Sequence, residues 1–227
     1  MNVSQTHYNL GVEIDRVLES LGVAIEMGSM VVAGMSAATL QADITRGRAA
    51  DTADTEAEKA SDGAGRHLRT VMNALDQLCQ SIRTNGKFRF QRSNPDLARA
   101  FHKVPARADS DVAVIGRAKE LDAVWESVED ADTWEPVPGV KRADLRARIA
   151  EAEAAQVDAV TKETAASTAD TNAQTITSEL HANTVAYRTQ GLSSYPRNSR
   201  ERILFDGLPT TTERSASKSS GPIQVPA

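Results

Sequence analysis

Residues 40–86 of this chain occur a second time. A shift of 105 positions lays residues 145–191 over them without a gap. Leu40, Ile44 and Leu75 meet Leu145, Ile149 and Leu180, and Ala49-Ala50 meets Ala154-Ala155. Arg83-Thr84-x-Gly86 meets Arg188-Thr189-x-Gly191, and further on Phe101-x-x-Val104-Pro105 echoes Phe205-x-x-Leu208-Pro209. Self-similarity of this kind makes each copy one supersecondary unit, whose apolar face must be covered by something outside it. It narrows the fold more than any other property of the sequence.

Each copy reads as a helix, a corner, a longer helix and a return arm. In the first, Val17, Leu18, Leu21 and Ile25 step by three and four, the helical period, with Ser4 or Asn9 as the cap. The small apolar run Met27–Thr39 is the corner, and a long helix follows from Leu40 to Arg83. Gly63 and Gly65 are expected to kink that helix, and Asn85-Gly86 to stop it. The arm holds a short helix opened by Asn94-Pro95. In the second copy Val112, Ile115, Ala118, Leu121, Trp125 and Val128 give the short helix, and Pro136-Val137-Pro138-Gly139 the corner. Lys141 to Tyr187 is the long helix, with Gln190-Gly191 as its cap. Aromatic residues are only 4% of the chain, so its interior is alanine with some Leu, Ile and Val, a supply suited to closely packed helices.

The expected fold is therefore all-α. It is an antiparallel four-helix bundle of two tandemly duplicated hairpins with extended return arms. The domain covers 1–209, with repeat one at 5–108, repeat two at 109–209, and a disordered tail at 210–227, rich in Ser, Thr and Pro. In an up-down-up-down bundle both long helices end at one pole. The two arms would meet there, with the acidic run Glu126–Glu135 at the other pole beside the first corner.

Little in the sequence carries catalytic chemistry. His7, His67, His102 and His181 form no metal-binding pair of helical spacing, and there is no P-loop. Cys79 lies on the stripe of Leu75, Leu78 and Ile82, where a cysteine acts as a small apolar residue. No enzyme activity, cofactor or metal is expected. A net charge of −5 argues against wholesale nucleic-acid binding, and no specific nucleic acid is expected. The lone cysteine and the absence of a signal-like start point to the cytoplasm.

The polar feature with a spatial consequence is the arms. Residues 83–107 carry seven Lys/Arg and one acid, and residues 188–202 carry four Arg and one Glu. Arg89, Arg92, Arg99, Lys103, Arg197, Arg200 and Arg202 are the candidate contacts for an anionic partner or for self-association. The sequence thus points to a non-catalytic structural or assembly protein with a protein partner. Two alternatives stand beside it. One is a membrane-active protein inserting residues 21–40, where Glu26 is the one charge and the length approaches the ~20 residues of a spanning helix. The other is a ligand- or metal-binding helical-bundle enzyme.

Overall fold

The computed structural model describes residues 9–28 and 30–210. The tail expected over 210–227 lies, from residue 211 on, outside them, as do Ser4 and His7. The chain is all-helical, with no strand among the described residues: α1 (Leu10–Glu26), α2 (Ala37–Phe90), α3 (Pro95–Lys103), α4 (Asp111–Glu126), α5 (Arg142–Ser194) and α6 (Arg200–Asp206). It divides into two compact units. One comprises Met1–Thr55 with Thr168–Ala227, the other Glu56–Ser167. Each unit takes the hairpin of one sequence copy and the long-helix end and arm of the other.

In the first unit Asn9 caps α1, its side chain accepting from the Val12 amide. Ile14 and Val17 are buried against Leu40 and Ile44 from the start of α2, and Ile176, Leu180 and Tyr187 from the end of α5. The start of α2 and the end of α5 run antiparallel. Arg46 reaches Glu179 at 2.6 Å, and Asn183 donates to Asp43 at 3.0 Å. Between α1 and α2 the chain turns on Val32 and Met35, which exchange two backbone hydrogen bonds of 3.0 and 2.9 Å. Ala33 and Gly34 between them have φ of 53° and 74°. Two left-handed residues in succession make a type I′ turn. Alanine there carries strain of order 1 kcal/mol.

The second unit repeats this plan. Ser110 caps α4, and α4 and the start of α5 form the hairpin. Val137 and Val140 close its corner with a 2.9 Å bond, and Pro138 followed by Gly139 (φ 78°) is the sequence of a type II turn. The end of α2 supplies Val71, Met72, Leu75, Cys79 and Ile82, which pack with Ala118, Leu121 and Trp125 of α4 and Leu145 and Ile149 of α5. Three aromatic residues gather around Trp134, with ring centroids 5.2 Å from Phe90, 5.6 Å from Phe101 and 5.3 Å from Trp125. At these separations edge-on rings add roughly 0.5–1.5 kcal/mol per pair beyond their burial.

The burial repeats as the sequence does. Leu40 and Leu145, Ile44 and Ile149, Leu75 and Leu180, Val17 and Leu121, and Phe101 and Phe205 are all buried. Several expectations are nonetheless corrected. The long helices do not stop at Asn85-Gly86 or Gln190-Gly191; they run on to Phe90 and Ser194. The glycines serve close approach instead of capping. A Cβ on Gly86 would stand 2.7 Å from the Phe101 ring, and one on Gly191 would overlap Phe205. Gly63 and Gly65 lie within an unbroken α2. Their cost of about 1 kcal/mol each is borne by a helix whose flanks are buried, and a break would orphan backbone groups on either side.

The single basic pole is also corrected. α3 belongs to the second unit and α6 to the first, because α2 and α5 end in different units. The acidic run does not stand apart from the first arm: Asp130 pairs with Arg89 at 2.7 Å inside the second unit. Residues 21–28 and 30–40 belong to the end of α1, the turn and the start of α2. Among the described residues no helix is long and apolar enough to cross a membrane.

Candidate functional site

The arms are fixed to their units by one device used twice. In the second unit Arg83 Nε donates to the Val104 carbonyl at 2.7 Å and Arg83 Nη2 to the His102 carbonyl at 3.0 Å. In the first, Arg188 Nε donates to the Leu208 carbonyl at 3.1 Å. These are the arginines of the repeated Arg-Thr-x-Gly. Each satisfies the C-terminal carbonyls of a short helix and holds its aromatic residue, Phe101 or Phe205, over the glycine three residues on.

Of the seven candidate contacts, two are occupied in holding the fold. Arg89 pairs with Asp130 and lies 5.3 and 5.4 Å from the Phe90 and Trp134 rings. Arg202 donates to the carbonyls of Leu192 and Tyr195. The remainder keep their charges outward. Arg92, Arg99 and Lys103 are exposed in the second unit, and Arg197 and Arg200 in the first. Arg99 touches Asp96 at 3.2 Å, an exposed contact one helical turn apart and worth about 0–1 kcal/mol. The opposite face of α3 buries Leu97, Ala98 and Phe101, which fixes the outward direction of Arg99 and Lys103.

Each unit also encloses a charged pair. Glu13 of α1 is 1% exposed; it accepts from Arg16 at 2.6 Å and lies 3.3 Å from His181 Nδ1 on α5. Arg117 of α4 is 3% exposed and donates to the Asp76 carboxylate, the Asp76 carbonyl at 2.8 Å and the Ala106 carbonyl at 3.0 Å. His181 and Asp76 are matched by the repeat shift, as are Glu13 and Arg117 once one residue is gapped. The two units therefore exchange acid and base at matched core positions, Glu13 for Arg117 and His181 for Asp76. Burial pushes the neighbouring Cys79 thiol up to about 11 against the pull of Arg117, which keeps it protonated and unreactive at neutral pH. On the hairpin of the second unit, burial would raise Asp122, but hydrogen bonds from Arg142 and Arg146 outweigh it and hold the carboxyl below its ordinary range.

The first unit contains a cavity of about 230 Å³. Arg16, Ser20, Thr184, Arg188 and Thr189 supply its polar wall, and no acid is among its lining residues. No sequence reading pointed to it. The available signal was a charge at a stripe position: Arg16 and Glu13 flank Ile14 and Val17, where the helical period calls for apolar residues. Among the described residues no group of His, Cys, Asp and Glu could hold a metal ion. No known protein family, curated protein or solved structure matches this chain.

Proposed function

We propose that this is a non-catalytic helical protein that works by assembly, built from one helical hairpin duplicated in tandem. The duplication reading rests on the matched burial, corners and arginine clamps of the two units. The assembly reading is carried by one observation: α3 is clamped from behind by Arg83 and Phe101 while Arg92, Arg99 and Lys103 face outward. A fixed cationic ridge loses little side-chain and backbone freedom on docking. Its partner is an acidic protein surface, and the second unit itself offers acids one turn apart, since Glu58 and Asp62 are exposed on α2. Several weak surface pairs acting together orient an encounter and set its register.

Size-exclusion chromatography with light scattering tests the reading. A concentration-dependent increase in mass is expected at low salt. It should fade as the Debye length falls from ~10 Å at 0.1 M to ~3 Å at 1 M. Arg92→Glu, Arg99→Glu and Lys103→Glu together should abolish it with helical content unchanged. Reversing Glu58 and Asp62 to Lys in a second chain should restore mixed association with the triple variant. A triple variant that associates like the parent would overturn the reading.

A further inference from the structure

We infer that the cavity of the first unit is a binding site for a small oxyanion, a carboxylate or a phosphate group. Two arginines reach it from different helices, Arg16 on α1 and Arg188 on α5, and four hydroxyl-bearing residues share the lining: Ser20, Thr184, Thr189 and Thr210. Arg16 is buried, yet its Nε has no hydrogen-bond partner; its Nη1 is held by Glu13. The nearest acid to Arg188 is Asp206, 3.8 Å away and largely exposed, so the Nη side of that guanidinium is only loosely engaged. Guanidinium groups match carboxylate and phosphate oxygens through parallel N–H donors. A volume of about 230 Å³ lies below the ~300–1,000 Å³ of pockets for drug-sized ligands, which fits a compact anion.

The matched positions of the second unit sharpen this. Where the first unit has Arg16, Ser20 and Thr184, the second has Glu120, Val124 and Cys79. Arg188 and Thr189 keep their counterparts, Arg83 and Thr84. The shared arginine is the arm clamp. The three exchanged residues all run in one direction: an acid becomes a base, and two apolar groups become hydroxyls. An orphaned Nε also occurs at Arg117, so the orphan does not mark the site by itself. The lined cavity and the three exchanges do. The hydroxyls of Ser20 and Thr184 now donate to the carbonyls of Arg16 and Leu180. Those carbonyls lie within helices, which leaves the hydroxyls able to turn toward a ligand.

The test is a titration of the full chain with sodium phosphate and, separately, sodium acetate, against sodium chloride at equal ionic strength. Thermal unfolding and isothermal calorimetry are the readouts. A saturable rise in Tm with phosphate, acetate or both, absent with chloride, is expected, and the pair of arms identifies which oxyanion the site prefers. Arg188→Gln should weaken the response at least tenfold, and Arg188→Lys should recover part of it. Because Arg188 also holds the arm, a second variant is needed. Ser20→Val with Thr184→Cys places the second unit's residues in the cavity and should remove binding while the protein stays folded. Arg83→Gln, in the other unit, should leave binding unchanged. Phosphate and acetate acting no differently from chloride would overturn the assignment. So would a response that survives Ser20→Val/Thr184→Cys, or one lost equally in Arg83→Gln.

Discussion

The two units share a plan and differ in the sign of one buried pair. In the first, an acid on the short helix, Glu13, faces a base on the long helix, His181. In the second, a base on the short helix, Arg117, faces an acid, Asp76. The shared aliphatic positions distinguish the hairpins poorly, since Leu75 and Leu180, or Val17 and Leu121, present similar surfaces, although Trp125 answers to Leu21 and Ile82 to Tyr187. The charges can. If each short helix packed on the long-helix end of its own copy, Glu13 would meet Asp76 and Arg117 would meet His181. Two acids would face each other in one core and two bases in the other. A buried pair adds little stability over apolar residues of the same shape, while a mismatched one costs several kcal/mol. Its effect falls on which partner is chosen, through repulsion in the alternative.

The largest expected effects come from residues the units share. Phe101→Ala and Phe205→Ala should each cost about 3–5 kcal/mol, and Leu75→Ala and Leu121→Ala about 2–5 kcal/mol, by urea denaturation. Values below about half a kcal/mol for both leucines would mean that the helix stripes are misassigned. The buried pairs should separate the units. Glu13→Gln leaves Arg16 enclosed and should cost about 3–5 kcal/mol. Arg117→Met leaves only Asp76, whose side chain is 26% exposed and reaches water, and should cost less, about 1–3 kcal/mol. Equal costs would remove the distinction.

A comparable effect separates the units by pH. Asp122 is held below its ordinary range only in the folded state, so its contribution is present above the unfolded value of about 3.9 and is lost as pH falls through the lower folded value. Asp122→Asn should cost about 1.5–3 kcal/mol at pH 7, and the gap from the parent should close as acid titrates the carboxyl. A gap that stays constant down to pH 2 would contradict the Arg142 and Arg146 pairing. The smallest change is at the corner. Ala33→Gly relieves the left-handed alanine of the first turn but loosens the unfolded chain, for a net gain below about 1 kcal/mol.

Much of the helical frame was legible in the residues. The cap at Asn9, the Asn94-Pro95 start of α3 and the stripes of α2 and α4 follow from local chemistry, and each lies where the periodicity puts it. Helix ends were less legible. Gly86 and Gly191 read as caps because glycine's local preference is visible, while an aromatic ring arriving from about fifteen residues away is not, Phe101 for Gly86 and Phe205 for Gly191. Which long-helix end joins which hairpin was not legible from the shared leucine and isoleucine positions, since these recur in both copies. The charges at Glu13, Asp76, Arg117 and His181 carried that information. Reading them required the pairing that they specify. The separation of the basic arms, and the loss of Arg89 and Arg202 to structural roles, follow from the same pairing.

Double-mutant cycles on three of those residues test this account most directly. Urea denaturation of Asp76→Ala, Arg117→Ala, Glu13→Ala and the doubles yields each coupling. Asp76 with Arg117 should couple favourably by about 0.5–3 kcal/mol, the range for residues in contact. Asp76 with Glu13, which belong to different units, should add within about 0.5 kcal/mol. No coupling between Asp76 and Arg117, or a strong one between Asp76 and Glu13, would show that the hairpins are partnered the other way.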